Sequence, residues 1–410
     1  MSYLNPDCGV ASDLTPFFVA YPWLSGSGGG FGTKYPDPAS PQDFECIAAS
    51  WSPDGKDIST GGYDSPWISA YQWLTGPGNG FGTRYADPGT LPPTTLASNL
   101  VAWTPSGAAV VDVYNTGGGG LGMISYHWTT GAGNGFGSTY SDPGTNPGTF
   151  PQAFAFSSRA KSATSVDMIV CNTGSAPHIQ AYPWTDAGGY GTKYSNPGTD
   201  PGGTIFICYS PNGADMVGVR SFGTPVVYAF PWSVGVGWGT IYAAPGTLPP
   251  GINRGCQFSP SGADVAIAQA VASGVSPCIG AYAWASGFGT KYADPGTSLP
   301  DGSNAYCVAF TPPGNDVAIA FNGPTAPWVA AYPWTTGSGF GTQYADPATV
   351  VGKNANAIGF SPAARNNGVA PLGIFGDLPS PTWLAALALG GAIMENPTVS
   401  RRGMFGLNRS

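Results

Sequence analysis

Short apolar and aromatic stretches recur along this chain, and glycine, proline, serine or aspartate closes nearly every one. Stretches of this length predict strands, and the closing residues predict turns between them. The stretches recur as a block. Its clearest copy runs from Asn304 to Thr349, NAYCVAFTPPGNDVAIAFNGPTAPWVAAYPWTTGSGFGTQYADPAT. Each copy predicts four strands. The first ends in an aromatic residue followed by a Ser/Thr-Pro-x-Gly turn, as at Phe258 to Gly262, where proline sets φ and glycine supplies the positive-φ corner. The second is apolar, as at Val265 to Ala268, and the third ends in a Tyr-x-Trp triplet whose rings share one sheet face. The fourth is of the type GFGTKYADP, and its Asp-Pro ends the ladder because proline has no N–H to donate.

The tryptophan of the third strand recurs at Trp23, Trp73, Trp128, Trp184, Trp232, Trp284 and Trp334, at separations of 50, 55, 56, 48, 52 and 50 residues. A repeat of this length built from four strands predicts one blade of a propeller. The chain starts and stops inside a repeat. Phe17 to Pro38 supplies a third and a fourth strand, and Ala355 to Leu372 a first and a second, so the two pieces predict one shared blade that closes the ring. The expected fold is therefore all-β, a seven-bladed β-propeller of four-stranded blades over residues 17–372. Residues 1–16 read as a lead-in and 373–410 as an apolar C-terminal tail, in which Ser380-Pro381-Thr382 reads as a helix start and Pro397 as its stop.

The order of inner strand, Ser-Pro-x-Gly turn, apolar strand and a strand ending in Trp resembles the WD-repeat propellers, with Tyr-Pro-Trp in place of the Trp-Asp dipeptide. The phrase GFGTKYADPGT resembles repeats in uncharacterised proteins of tailed bacteriophages. That second resemblance implies a virion component.

Composition changes this picture little. Gly (63) and Pro (41) make about a quarter of the residues, which in a chain poor in aromatics would suggest disorder, but 13% of this one is aromatic. Only 9% is charged and the net charge is −8, with 14 Lys and Arg and no basic stripe, so no nucleic-acid partner is expected. The longest apolar stretch, Trp383 to Met394, is too short and too glycine-broken to span a bilayer, so no membrane insertion is expected either. Seven cysteines follow no disulfide or zinc spacing. Cys208, Cys256 and Cys307 fall on first strands and read as buried thiols, which suggests assembly in a reducing compartment. The N-terminus lacks the features of a signal peptide.

Candidate chemistry is sparse. Asp57, Asp167, Asp215, Asp264 and Asp316 share one repeat position, and Asp37, Asp87, Asp142, Asp294 and Asp346 another. Calcium binding or acid–base work is one reading, but carboxylates repeated around a ring are far apart in similar surroundings, so structural turn residues are expected. His127 and His178 are the only histidines, and no metal site, cofactor or catalytic residue is expected. The glycine runs lack a following Gly-Lys-Ser/Thr and read as hairpin loops. The repeated Trp reads either as inter-blade core or as a sugar-stacking platform, with core favoured.

The loops before the third strand and after Asp-Pro vary from copy to copy and emerge on one ring face. There Tyr63, Asp64, Tyr114, His178, Arg220, Arg254 and Asp301 form a candidate ligand-binding set. In the tail, Trp383, Leu384, Leu387, Leu389 and Phe405 form a candidate partner-binding set. The expectation is a non-enzymatic structural or interaction protein: a capsid decoration, fibre or tail-associated propeller of a phage virion. It would be made in the host cytoplasm and held in many copies to other virion or assembly proteins by its tail. A lectin-like propeller binding host-surface glycans is the alternative, and a cytoplasmic protein the alternative setting. A propeller enzyme ranks third, since the Ser-x-Asp-x-Gly-x-x-Trp box of sialidases is absent.

Overall fold

A computed structural model of the chain describes residues 6–362, apart from 27, 75–79, 94–96, 115–120, 132–133, 159–161, 163, 221–222, 271–277, 297–298, 300–302 and 350. The C-terminal tail, with Trp383, Leu384, Leu387, Leu389 and Phe405, lies outside the described residues, as does Asp301. The described residues are all-β, without a helix, in a propeller-like arrangement. Every strand pairing is antiparallel. The strands make five separate four-stranded sheets and one of eight strands, whose two four-stranded halves are joined by the single pairing of Ala270 with Asn304.

The first strands of the repeats are Cys46–Trp51, Ser98–Trp103, Pro151–Phe156, Thr204–Tyr209, Ile252–Phe258, Asn304–Phe310 and Ala355–Phe360. Each contacts the next, and the last contacts the first, so they form a closed ring around an axis. The predicted turns form as read. Gly262 sits at φ +72° and its N–H meets the Ser259 carbonyl at 2.8 Å, while Ser259 Oγ accepts the Asp264 N–H at 3.2 Å. The fourth strands are shorter than expected. In four of the sheets only two residues pair, as in Gly339–Phe340.

The repeated Trp side chains are core, as favoured, and not a platform: all of them are buried. Trp284 meets Phe258, Phe288 and Tyr242 edge-on, at 5.0, 5.1 and 5.8 Å between centroids. The repeated aspartates do more than close turns. Asp264 Oδ1 accepts the Tyr292 hydroxyl of its own repeat at 2.5 Å, and Oδ2 accepts the Trp334 indole N–H of the next repeat at 3.2 Å. The same clip recurs at Asp7, Asp57, Asp167, Asp215 and Asp316. At the remaining seam Ala109 stands in the aspartate position, and the matching Tyr140 donates to the Asp186 carbonyl at 2.7 Å.

Closure differs from expectation in one respect. Of the C-terminal piece the described residues give the first strand, Ala355–Phe360, while 363–372 lie outside them; the strand paired with it is Asp7–Ser12, inside the expected lead-in. Its short run, Asp7-Cys8-Gly9-Val10-Ala11-Ser12, has no turn motif before it to mark it as a repeat strand. Packing does mark it: Asp7 takes the clip position, its backbone N–H meets Ser361 Oγ at 2.7 Å, and the Ser361 N–H returns to the Asp7 carbonyl at 2.7 Å.

Candidate site at the mouth of the ring

Each first strand carries a bulge near its start. The residue skipped by the ladder is Ile47, Asn99, Gln152, Ile205, Arg254, Tyr306 or Asn356. A bulge leaves its extra residue unpaired and re-aims its side chain. All of these residues, with Leu100, Phe206 and Tyr63, line one cavity of about 260 Å³ at the axis. This lies below the roughly 300–1,000 Å³ of pockets for drug-sized ligands, and suits a compact molecule.

Two charged features flank the cavity. One is Arg254, whose guanidinium carbon lies 5.6 Å from the Tyr306 ring centroid and whose Nε is buried without a hydrogen-bond partner among the described residues. The other is a carboxyl pair. Asp13 lies in the loop after Asp7–Ser12, and Glu45 directly precedes Cys46–Trp51. Burial, then the charge of Asp13 and a hydrogen bond with it, push the Glu45 carboxyl up to about 7; Asp64 adds to the rise and Lys353 opposes it. Asp13 is held by two amides: Asn356 Nδ2 donates to Oδ1 at 2.7 Å and Asn354 Nδ2 to Oδ2 at 2.6 Å. Asn354 adopts φ +35°, in the left-handed region that asparagine tolerates better than most residues. Gly62 lets the neighbouring strand approach the Glu45 backbone, because a Cβ there would stand 2.0 Å from the Glu45 carbonyl oxygen. The Tyr63 hydroxyl is pushed up by burial and then by the charges of Glu45, Asp13 and Tyr306, and its backbone N–H meets the Glu45 carbonyl at 3.3 Å.

Of the residues singled out from the sequence, Tyr63 and Arg254 line this cavity and Asp64 sits beside its carboxyl pair. Tyr114 is instead buried in the sheet, 3% exposed. His178 Nδ1 is held by Asp200, at 3.0 and 3.1 Å from its carboxyl oxygens. Arg220 turns back onto the Pro225 carbonyl at 3.3 Å. Asp13, Glu45, Asn99, Gln152, Tyr306 and Asn356 were not singled out. Their types differ from copy to copy at a bulge or in a loop, so no repeat signature marks them. A larger cavity of about 510 Å³ opens at the other end of the strands, beside Asp316 and Tyr344. Both Asp316 oxygens there are already spent on Tyr344 and Trp23, which leaves it less chemistry.

The molecule is thus a β-propeller with a polar, charged axial mouth. No known family profile and no curated protein matches the sequence. Solved structures do match the fold. A proposed 6-phosphogluconolactonase of Bacteroides fragilis aligns with TM-score 0.60 at 13% identity, over 87% of this chain and 98% of that one. The periplasmic gluconolactonase PpgL of Pseudomonas aeruginosa aligns with TM-score 0.59 at 11% identity, over 87% and 99%. A protein from Lactobacillus plantarum aligns with TM-score 0.60 at 12% identity, over 87% and 99%. Likeness at this identity establishes the propeller fold. It supports neither the WD-repeat family nor the phage resemblance. It also overturns the expectation of a non-enzymatic virion, decoration or fibre protein: neighbours matched over nearly their whole length bear the names of lactone hydrolases.

Proposed function

We propose that the chain is a seven-bladed propeller hydrolase that opens a lactone ring at its axial mouth. The closed cycle of first strands and the single bridge between the halves of the eight-stranded sheet support the blade count. The observation that carries the reaction is the Asp13–Glu45 pair, whose charges reach the cavity-lining Tyr63. A carboxyl with an apparent value near 7 is poised to take and return a proton at neutral pH. In this reading water adds to the lactone carbonyl carbon and gives its proton to Glu45. The ring C–O bond then breaks, and the same proton passes to the departing alkoxide, leaving a hydroxy acid. Asp13, clamped by Asn354 and Asn356, is the neighbour whose charge and hydrogen bond raise the Glu45 carboxyl. Arg254 takes the anionic part of the substrate or the developing oxyanion.

The test is lactone opening followed in a pH-stat with glucono-δ-lactone and its 6-phosphate. The wild-type chain should open at least one of them above the spontaneous rate, and Glu45→Gln should lose about 100-fold or more in kcat. kcat should rise with pH through about 7, because the base must be ionised, and the value belongs to the coupled pair rather than to Glu45 alone. Wild-type progress curves that match the buffer blank sink the proposal.

A further inference from the structure

We infer that Asn99, Gln152 and Asn356 are the specificity residues of the mouth, and that they read the hydroxyl groups of a small anionic polyol. The inference names the ligand class of the site proposed above and rests on that reading for the reaction, but not for binding. A primary amide carries an NH2 donor and a carbonyl acceptor, and its orientation follows from what each end meets. Asn99 Nδ2 donates to the Pro151 carbonyl at 2.9 Å, and Gln152 Nε2 to the Phe150 carbonyl at 3.1 Å. Asn356 Nδ2 donates to Asp13 Oδ1 at 2.7 Å and to the Cys46 carbonyl at 3.0 Å. Flipping any of them would set an acceptor against an acceptor. At least one N–H of each amide is therefore committed to the protein, which fixes the orientation and leaves the carbonyl oxygens to a ligand.

All three residues line the same cavity from fixed bulge positions. Carbonyl oxygens accept from hydroxyls and repel a carboxylate or phosphate, which has no hydrogen to give when ionised. The anionic group of a ligand is thereby directed to the guanidinium of Arg254, whose Nε is free among the described residues. Tyr306 lies beside it, and its hydroxyl already accepts from Asn322 Nδ2 at 2.9 Å, so its own hydrogen is available to donate. Ile47 and Ile205 supply apolar wall between the polar arcs, suited to the C–H face of a sugar chain. Aldonates and their lactones combine these features.

Calorimetric titration of the full chain with sodium gluconate and with sodium hexanoate separates hydroxyl reading from simple anion binding. The two anions share a six-carbon carboxylate and differ in the hydroxyls. Gluconate should bind about tenfold or more tightly than hexanoate, and Gln152→Leu and Asn99→Leu should each weaken gluconate several-fold while leaving hexanoate unchanged. Among the described residues Gln152 Nε2 donates only to the adjacent Phe150 and Pro151 carbonyls, so its variant should keep the wild-type melting temperature and serve if Asn99→Leu does not fold. Equal binding of the two anions, binding of neither, or variants that bind gluconate like the wild type would each overturn the inference. Gluconate binding without lactone opening would sink the proposed reaction alone. Equal opening of δ-valerolactone and glucono-δ-lactone would sink hydroxyl reading alone.

Discussion

Asp112 shows how far one residue can depart from its repeat. In the second strand of its blade it lies among valines and is fully buried; Ser98 hydroxyl donates to its Oδ1, and its Oδ2 has no partner among the described residues. Burial pushes its carboxyl from 3.8 up to about 7, with Ser98 opposing the rise. A folded-state value above the unfolded one stabilises fully only below the unfolded value. Asp112 should therefore cost stability progressively as pH rises from about 4 to about 7, and the loss should level off above that. Asp112→Asn should remove this slope and melt above the wild type at pH 8, with little difference at pH 4. Parallel melting curves for the two proteins across this range would show that the buried carboxyl is not what titrates. The same physics operates at Glu45, where it serves the proposed chemistry, whereas Asp112 has only Ser98 to meet it.

Elements are held together by one clip used over and over. An aspartate at the start of a second strand joins a tyrosine of its own blade to a tryptophan of the next, so local turn and long-range seam depend on the same carboxylate. Asp264→Ala should leave the Tyr292 hydroxyl and the Trp334 indole N–H without their acceptor and cost about 2–4 kcal/mol in urea unfolding. An unchanged midpoint would show that the seam is held by ring packing alone. Trp284→Ala removes a buried ring with three edge-on aromatic neighbours and should cost about 3–5 kcal/mol. A loss well under 1 kcal/mol would contradict its role as core. The bulges are the second element-scale device. Every inner strand gives up one ladder position, and the positions surrendered together make the wall of the mouth.

At the scale of the whole molecule, the ring is a closed object whose last strand pairs with its first, Val10 opposite Ile358 and Cys8 opposite Phe360. Removing residues 1–16 should take away the strand Asp7–Ser12, its clip to Tyr35 and Trp73, and Asp13 of the carboxyl pair. The edges left open should make the protein aggregate on size-exclusion chromatography and melt early. A soluble monomer with wild-type melting would refute closure through this strand.

The strands, turns and repeat were legible in the sequence because each is a local pattern. Short apolar runs, Pro-x-Gly corners and Tyr-x-Trp triplets act over a few residues and recur often enough to be read by self-similarity. Tyr63 and Arg254 were legible for a related reason, as variable residues on an otherwise monotonous frame. What the sequence left open is what the ring assembles from separate copies. Asp7–Ser12 looks like a lead-in until Ala355–Phe360 arrives beside it, and the repeated aspartates look like turn residues until the next blade brings a tryptophan. Asp13 and Glu45 carry no shared motif and lie 32 positions apart. Closure sets them side by side, and the loss of water there makes a carboxyl with an apparent value near 7 out of two ordinary side chains. Burial and proximity of that kind depend on the positions of distant chain segments, so only the tertiary structure could decide them.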